Sequence, residues 1–320
     1  MAEWLYEAGI GEARAALVAD GRIIKARIEL AGSLRVGTVA EARLIEQLPG
    51  RQGRVALLDG SGDALLGAVP AGLSVGRPLL VTLVREAIPE HGRAKLARAV
   101  VAADGALPAL GPDLRERIAE SGMPVRRCHA HEADALEAAG WSEVLEEAVD
   151  GEIAFPGGVL RMSPTPAMTL FDVDGSGALD SLAVAAATAV GQAVIRHGLG
   201  GSIGVDFPSV QGKAARQAVA AAIDAALPPA LAGPFERTAL NGFGFLQIVR
   251  PRPRASLPEL LRIDPVGAAA RAVLRQIERS PPGGARAHRL PAAVRARIES
   301  QPDWAAELSR GVGGTVILED

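Results

Sequence analysis

MTLFDVDGSGALDSLAVAAATAVGQAVIRHGLGGSIGVDF, Met168–Phe207, reads as two apolar strands around one long apolar helix. Met168–Val173 is the first strand. Ala178–His197 is the helix, closed by Gly198, Gly200 and Gly201, and Ile203–Phe207 is the second strand. A strand–helix–strand crossover returns the chain beside its starting point, which predicts an α/β unit with a mostly buried sheet. Asp172 and Asp174 flank Val173 at the end of the first strand, and Asp206 closes the second, thirty-four positions after Asp172. Ligands of open α/β sheets bind at such strand ends. Carboxylates converging there repel one another unless a hard cation neutralises them. Mg²⁺ suits the task because it takes one or two carboxylates plus waters and phosphate oxygens, and it can polarise a phosphodiester and activate water. The alternative assigns them no chemistry: Asp172 and Asp174 cap the helix that begins near Ala178.

Downstream, Lys213–Leu227 reads as a helix stopped by Pro228-Pro229, and Gly244–Val249 as a strand. After the Arg-Pro stretch Arg250–Arg254 come a helix Val266–Arg279, a strand near Ala287, a helix Ala292–Glu299 and a strand Thr315–Leu318. Upstream, Gly151–Phe155 and Val159–Met162 form a hairpin about Gly157-Gly158. The N-terminus carries three short strands, Glu3–Ala8, Ala13–Val18 and Ile23–Leu30, with an Asp20-Gly21 hairpin turn between the last two. Five further strands are read between Leu34 and Val101, at Arg35–Ala40, Ala42–Glu46, Gly53–Leu58, Leu79–Arg85 and Arg93–Val100. That density predicts a small barrel of the oligonucleotide-binding kind. Helices are expected from Asp113 to about Ser121 and over Glu132–Ala148.

The 320 residues suffice for two or three domains. No apolar run reaches the ~20 residues that span a bilayer; the nearest, Leu182–Ile195, carries Thr188, Gly191 and Gln192 and reads as a buried helix. Glu3, Glu7 and Glu12 stand where an export signal carries positive charge, so a cytoplasmic location and no membrane partner are expected. A single cysteine, Cys128, excludes an internal disulfide and a cysteine-built zinc site. Net charge is −3, yet Arg250–Arg297 holds eleven arginines against Glu259, Asp264 and Glu278. Such asymmetry suits a polyanion touching one region, and equally a solvated surface from an Arg-rich codon usage.

Several stretches resemble the ribonuclease E/G family of single-strand RNA endonucleases. MTLFDVDGSG, Met168–Gly177, resembles the strand that ends there in Asp, a hydrophobic residue, Asn and a small residue. GLGGSIGVDF, Gly198–Phe207, resembles the segment carrying the second metal ligand, and NGFGFLQIVRPR, Asn241–Arg252, the Arg-Phe-Gly-Leu strand. EARAALVADGRIIKARIE (Glu12–Glu29), EAVDGEIAFPGGVL (Glu147–Leu160) and AAARAVLRQIE (Ala268–Glu278) are similar to its N-terminal hairpin, the hairpin before its catalytic part and its C-terminal domain. The resemblance implies an α+β and α/β multidomain chain. Residues 1–34 and 101–160 would form a ribonuclease H-like subdomain, 35–100 an inserted S1-like barrel, 161–260 a deoxyribonuclease I-like catalytic subdomain and 261–320 a small C-terminal domain. It also implies Asp172 and Asp206 as metal carboxylates, 5′-phosphate and 3′-hydroxyl products, and Arg250 and Arg252 as phosphate contacts. Asp174 stands where the family has Asn and is a third oxygen ligand or holds metal-bound water. Mg²⁺ is the expected cofactor, with Mn²⁺ as a substitute.

The chain departs from the family too. The 5′-end sensor segment has no counterpart, and the paired cysteines of the shared zinc link are missing, so no structural zinc is expected and any homodimer is not linked by zinc. Leu57 and Leu66 stand at the barrel positions read as the family's base-stacking Phe residues, Gly242 replaces an Arg and Val249 a Ser. Lys213 and Arg216, in the helix after Asp206, either face the RNA or lie on a wet helix face. Cys128, His129, His131 and Glu132 offer four donors in five residues, but a zinc site needs ligands from elsewhere. His197 reads as a charge partner at a helix C-terminus, and Trp4, Trp141 and Trp304 as structural. The expected activity is Mg²⁺-dependent endonucleolysis of single-stranded RNA. A scaffold that binds RNA without turnover and an unrelated phosphohydrolase are the other readings.

Overall fold

The computed structural model describes residues 2–90, 92, 94–280 and 287–319. Along the chain run strands β1 (Glu3–Gly9), β2 (Glu12–Ala19) and β3 (Arg22–Leu30), then β4 (Val39–Leu48), β5 (Gln52–Leu57), β6 (Asp63–Leu66), β7 (Pro78–Arg85) and β8 (Ala97–Val101). Next come α1 (Leu114–Ala119), β9 (Val125–Arg127), α2 (Ala135–Ala138), α3 (Trp141–Asp150), β10 (Glu152–Phe155), β11 (Gly158–Pro164), β12 (Thr169–Gly175), α4 (Leu179–His197) and β13 (Gly201–Asp206). The last part holds α5 (Lys213–Ala226), α6 (Pro229–Ala232), β14 (Glu236–Arg237), β15 (Phe245–Arg250), α7 (Leu257–Ile263), α8 (Pro265–Glu278), β16 (Ala287–Arg289), α9 (Ala292–Glu299), α10 (Pro302–Gly311) and β17 (Ile317–Glu319). It is a mixed α/β protein of two compact units. One comprises Met1–Gly32, Leu114–Val149 and Leu260–Asp320, the other Ser33–Asp113 and Asp150–Glu259.

In the first unit the strand order is β3-β2-β1-β9, with β9 parallel to β1. Asp20 (φ 51) and Gly21 (φ 73) both take the left-handed backbone that a two-residue hairpin turn demands. β9 was not legible in the sequence, because three residues, Val125–Arg127, leave no alternation to read. The helix expected over Glu132–Ala148 is two, α2 capped by the Asp134 side chain and α3, separated at Gly140 with φ 97. Ile10, Ala270, Leu274, Ile277, Val294, Ile298 and Leu308 form the core beneath α8, α9 and α10. There the Trp304 ring lies where a Cβ on Gly11 would sit, 2.4 Å from it, so only glycine fits.

Glu278, in α8, is pushed up to about 7 from 4.5, by burial first and then by the charges of Glu7 and Glu307, against Arg279 and Arg275. Between those values the folded chain keeps a proton that the unfolded chain has released, so its stability falls as pH climbs through that window. A melting temperature lower at ~pH 8 than at ~pH 5.5, with the difference shrinking in Glu278→Gln, is the expected result. An unchanged pH difference in the variant would assign the effect elsewhere.

The second unit contains a closed five-stranded barrel, order β4-β5-β6-β8-β7, filled by Ala42, Leu44, Val55, Leu57, Leu66, Val81 and Leu83. Its membership corrects the strand expectations. Arg35–Ala40 and Ala42–Glu46 are not two strands, because inward Ala40, Ala42 and Leu44 alternate without a break through β4. The fifth member is β6, only four residues long after the Gly60–Gly62 turn. Of the strand read over Arg93–Val100, Arg93 lies outside the described residues and pairing in β8 begins at Ala97.

The unit's other element is a six-stranded sheet, order β10-β11-β12-β13-β15-β14. Only β12 and β13 are parallel, joined through α4; every other neighbour is antiparallel. The expectation of a mostly buried sheet is corrected here. Phe171, Val173, Ile203, Val205, Leu246 and Ile248 face the helices and are buried, whereas Arg161, Asp172, Asp206 and Val249 on the opposite face are exposed. The strands alternate apolar and polar, the pattern of a one-sided sheet. α4 is the one described helix long and apolar enough to cross a membrane by length and composition, and 56% of that window is buried within the protein.

Candidate metal centre

Residues opposite one another on neighbouring strands share a face of the sheet, about 4.8 Å apart in the pairing direction. Asp172 on β12 is the register partner of Asp206 on β13. The crossover therefore brings the two acids side by side on the solvent face, where the parallel pairing ends: Asp206 closes β13, whereas β12 runs on past Asp172 to Gly175. Phe171 and Val173 anchor the one, Val205 and Phe207 the other, all four buried. Neither acid caps a helix: the N-cap of α4 is Ala178, without a side-chain hydrogen bond. Neither makes an ion pair or side-chain hydrogen bond to another described residue.

The row continues in both directions. On β11, Arg161 is the partner of Asp172 and Glu152 of β10 is the partner of Arg161; on β15, Phe245 is the partner of Asp206. The open face thus reads Glu152, Arg161, Asp172, Asp206, Phe245 from strand to strand. Asp174 lies two residues beyond Asp172, its Oδ2 3.1 Å from the Arg161 guanidinium, with both side chains about half exposed. It is engaged with a cation rather than gathered with the other two acids. Among the described residues no group of three or more His, Cys, Asp or Glu side chains gathers to hold a metal.

Two hard oxygen donors in register, without an ion pair or side-chain hydrogen bond among the described residues and open to water, fit a cation that completes its shell with waters and phosphate oxygens. Mg²⁺ has that habit, and soft or nitrogen-preferring metals do not.

The remaining expected residues are distributed elsewhere. Arg250 is half-buried and donates to the Leu199 carbonyl (2.7 Å) and the Ala232 carbonyl, and burial lowers its pKa. Arg252 pairs with Glu259 and lies against Gly201. Both are held by the fold. Lys213 and Arg216 line a groove of about 320 Å³ with Ala220, Leu240 and Arg237. Arg237 is the register partner of Ile248 and pairs with Asp224 of α5, so this groove is on the helix side of the sheet and the acids are on the other. Leu57 and Leu66 point into the barrel interior, so neither position presents a ring to solvent whatever residue stands there. Cys128 is buried, the rings of His129 and His131 stack 5.5 Å apart, and the Glu132 carboxylate accepts from the His129 backbone N–H. The sequence reading missed Arg161 and Phe245, whose relation to the acids exists only through cross-strand register.

No protein-family model matches this chain, and no curated protein matches it.

Proposed function

We propose that the chain is a Mg²⁺-dependent endoribonuclease acting on single-stranded RNA, in the manner of the ribonuclease E/G family. One observation carries the reading: Asp172 and Asp206 are register partners on parallel strands, exposed, and neither forms an ion pair with a described residue. Around them, the barrel supports a nucleic-acid partner. Counted along the chain its strands run 1-2-3-5-4, with the third and fifth parallel, a closed five-stranded form used by oligonucleotide-binding barrels. On this reading the β3-β2-β1-β9 sheet belongs to the ribonuclease H-like part, residues 1–34 and 101–160, and β12, β13, β14 and β15 belong to the deoxyribonuclease I-like catalytic part, 161–260, with β10 and β11 lying at the boundary between them. The α8–α10 helices with β16 and β17 make the small C-terminal domain.

Asp172 and Asp206 would hold the ion. When bound, Mg²⁺ supplies Lewis-acid polarisation of the phosphodiester and a water of lowered pKa. Arg161, one strand from Asp172, contacts a non-bridging phosphate oxygen and in doing so releases Asp174, which then orients a water by hydrogen bonding. Lys213 and Arg216 contact the RNA backbone away from the reacting group, a role without base preference. The protein acts in the cytoplasm, alone or as a homodimer that needs no zinc.

The test is a labelled single-stranded RNA incubated with and without Mg²⁺. Product only with Mg²⁺, from single-stranded and not from fully paired RNA, is the expected result. The engagement of Asp174, Arg250 and Arg252 with partners of their own favours a second reading, an RNA-binding protein without turnover. Saturable binding with no product under any divalent cation would establish that reading in place of the first.

A further inference from the structure

We infer that Phe245 and Phe243 form a stacking platform for the bases that flank the scissile phosphate, an inference that rests on the reading of Asp172 and Asp206 as metal carboxylates. Phe245 is the register partner of Asp206, one strand away on the same solvent face. Its ring reaches Gly204: a Cβ there would meet the ring tip at 2.7 Å, Leu170 at 2.8 Å and the Met168 sulfur at 3.0 Å. The tip of the ring, Leu170 and Met168 thus close on one point of the strand that carries Asp206.

Phe243 is 89% exposed, far more than any other large apolar side chain on this sheet. Its turn is nevertheless tightly specified. The Asn241 side-chain oxygen accepts from the backbone N–H of Phe243 (2.9 Å) and of Phe245 (3.0 Å). Gly244 has φ 87, and a Cβ on it would lie 2.4 Å from the Phe207 carbonyl oxygen. The Phe207 N–H in turn donates to the Gly244 carbonyl at 2.9 Å, pinning the turn to the residue that follows Asp206. A ring held out into water on a backbone this constrained keeps its π-face open in a fixed place. A planar ligand can cover that face.

The occupant is a nucleobase of a single strand. Across the face the sequence is cation, acid pair, ring, in strand-to-strand steps of about 4.8 Å. That order suits a phosphate between Arg161 and the metal with its adjoining base on Phe245. A self-association patch of the same area would not interleave Arg161, Asp172 and Asp206 with its apolar residues. Stacking on an aromatic is sequence-tolerant because every base has a π-face, so the platform grips RNA without choosing among sequences.

Binding is measured in EDTA, by fluorescence anisotropy of the full chain, with a short single-stranded oligoribonucleotide and with an abasic ribose–phosphate oligomer of the same length. Phe245→Ala and Phe243→Ala each weaken the base-bearing strand by roughly 5- to 150-fold, the range that base–aromatic stacking spans, and leave the abasic oligomer's affinity unchanged. Phe245→Trp retains binding. Gly204→Ala weakens it with both rings still present, because the new methyl lifts Phe245. Equal binding of wild type and both alanine variants overturns the inference. So does a parallel loss for both oligomers, or a change in sedimentation mass on Phe245→Ala with RNA affinity intact, which would make the patch a contact between copies. The two levels separate cleanly. Asp172→Asn keeps the preference for the base-bearing strand in EDTA; if that variant also cleaves RNA as wild type does, the metal assignment falls while the platform stands.

Discussion

On the proposed reading, Asp172→Asn or Asp206→Asn is expected to lower Mg²⁺-dependent cleavage of single-stranded RNA by at least ~100-fold and to move the melting temperature by no more than about 2 °C. The lower bound on activity follows from metal sites generally, where loss of even an outer partner of a ligand costs roughly 10–100-fold; loss of one of only two carboxylates costs more. The small thermal effect follows from the structure. Both side chains are exposed, neither caps α4, and neither holds a described partner, so each replacement is a surface change worth within about 0.5 kcal/mol. The same geometry adds a sign. Without metal, two like charges one strand apart work against each other, so either Asn variant is neutral or slightly more stable. Adding Mg²⁺ then raises the melting temperature of the wild type through mass action, and not that of the variants. A variant that still cuts, or a wild type whose melting ignores Mg²⁺, would refute the assignment.

The two acids were legible in the sequence because the information is local. A strand, an apolar helix of adequate length and a second strand force a parallel return, and Asp172 and Asp206 come side by side where that pairing ends, although β12 itself runs on to Gly175. Arg161 and Phe245 were not legible. Their places depend on which strands flank the parallel pair and in what register, which the β10–β11 hairpin and the long excursion through α5, α6 and β14 decide. The barrel illustrates a third case. Strand density between Leu34 and Val101 predicted a barrel, while β4 was divided and β6 overlooked, since continuous alternation and a four-residue strand next to glycines are invisible to a reading by punctuation. The arginine surplus of Arg250–Arg297 gave little guidance to function. Arg250, Arg252, Arg271, Arg275 and Arg279 are held by carbonyls and carboxylates of the chain itself.

Those arginines define the second large effect, in the first unit. Glu12→Ala destabilises the protein by about 3–5 kcal/mol, the usual cost of leaving buried charge uncompensated. Glu12 is 5% exposed; it accepts from Arg271 at 2.8 Å and from Arg275, which lie 259 and 263 positions further along the chain. Beside it Glu7, 3% exposed and the register partner of Arg14 across β1 and β2, accepts from Arg14 at 2.7 Å and from Arg279 at 2.6 Å. Arg14 reaches Asp134 at 2.6 Å and covers the Trp141 ring at 5.3 Å. Burial works against the Arg14 charge, yet Glu7 and Asp134 hold its pKa above the ordinary value. One network thus ties together all three chain segments of this unit, which meet nowhere in sequence. At ~2–4 °C per kcal/mol for chains somewhat smaller than this one, the expected fall in melting temperature is roughly 6–20 °C. Two controls fix the cause. Arg295→Ala, which breaks an exposed 3.4 Å pair with Glu299, changes stability by under ~0.5 kcal/mol. Replacing Glu12, Arg271 and Arg275 together by Met and Leu recovers much of the loss, because an apolar triad carries no stranded charge. If the triple replacement is no better than Glu12→Ala alone, the penalty lies in packing around β2 rather than in unpaired guanidinium groups, and the electrostatic account of this unit is wrong.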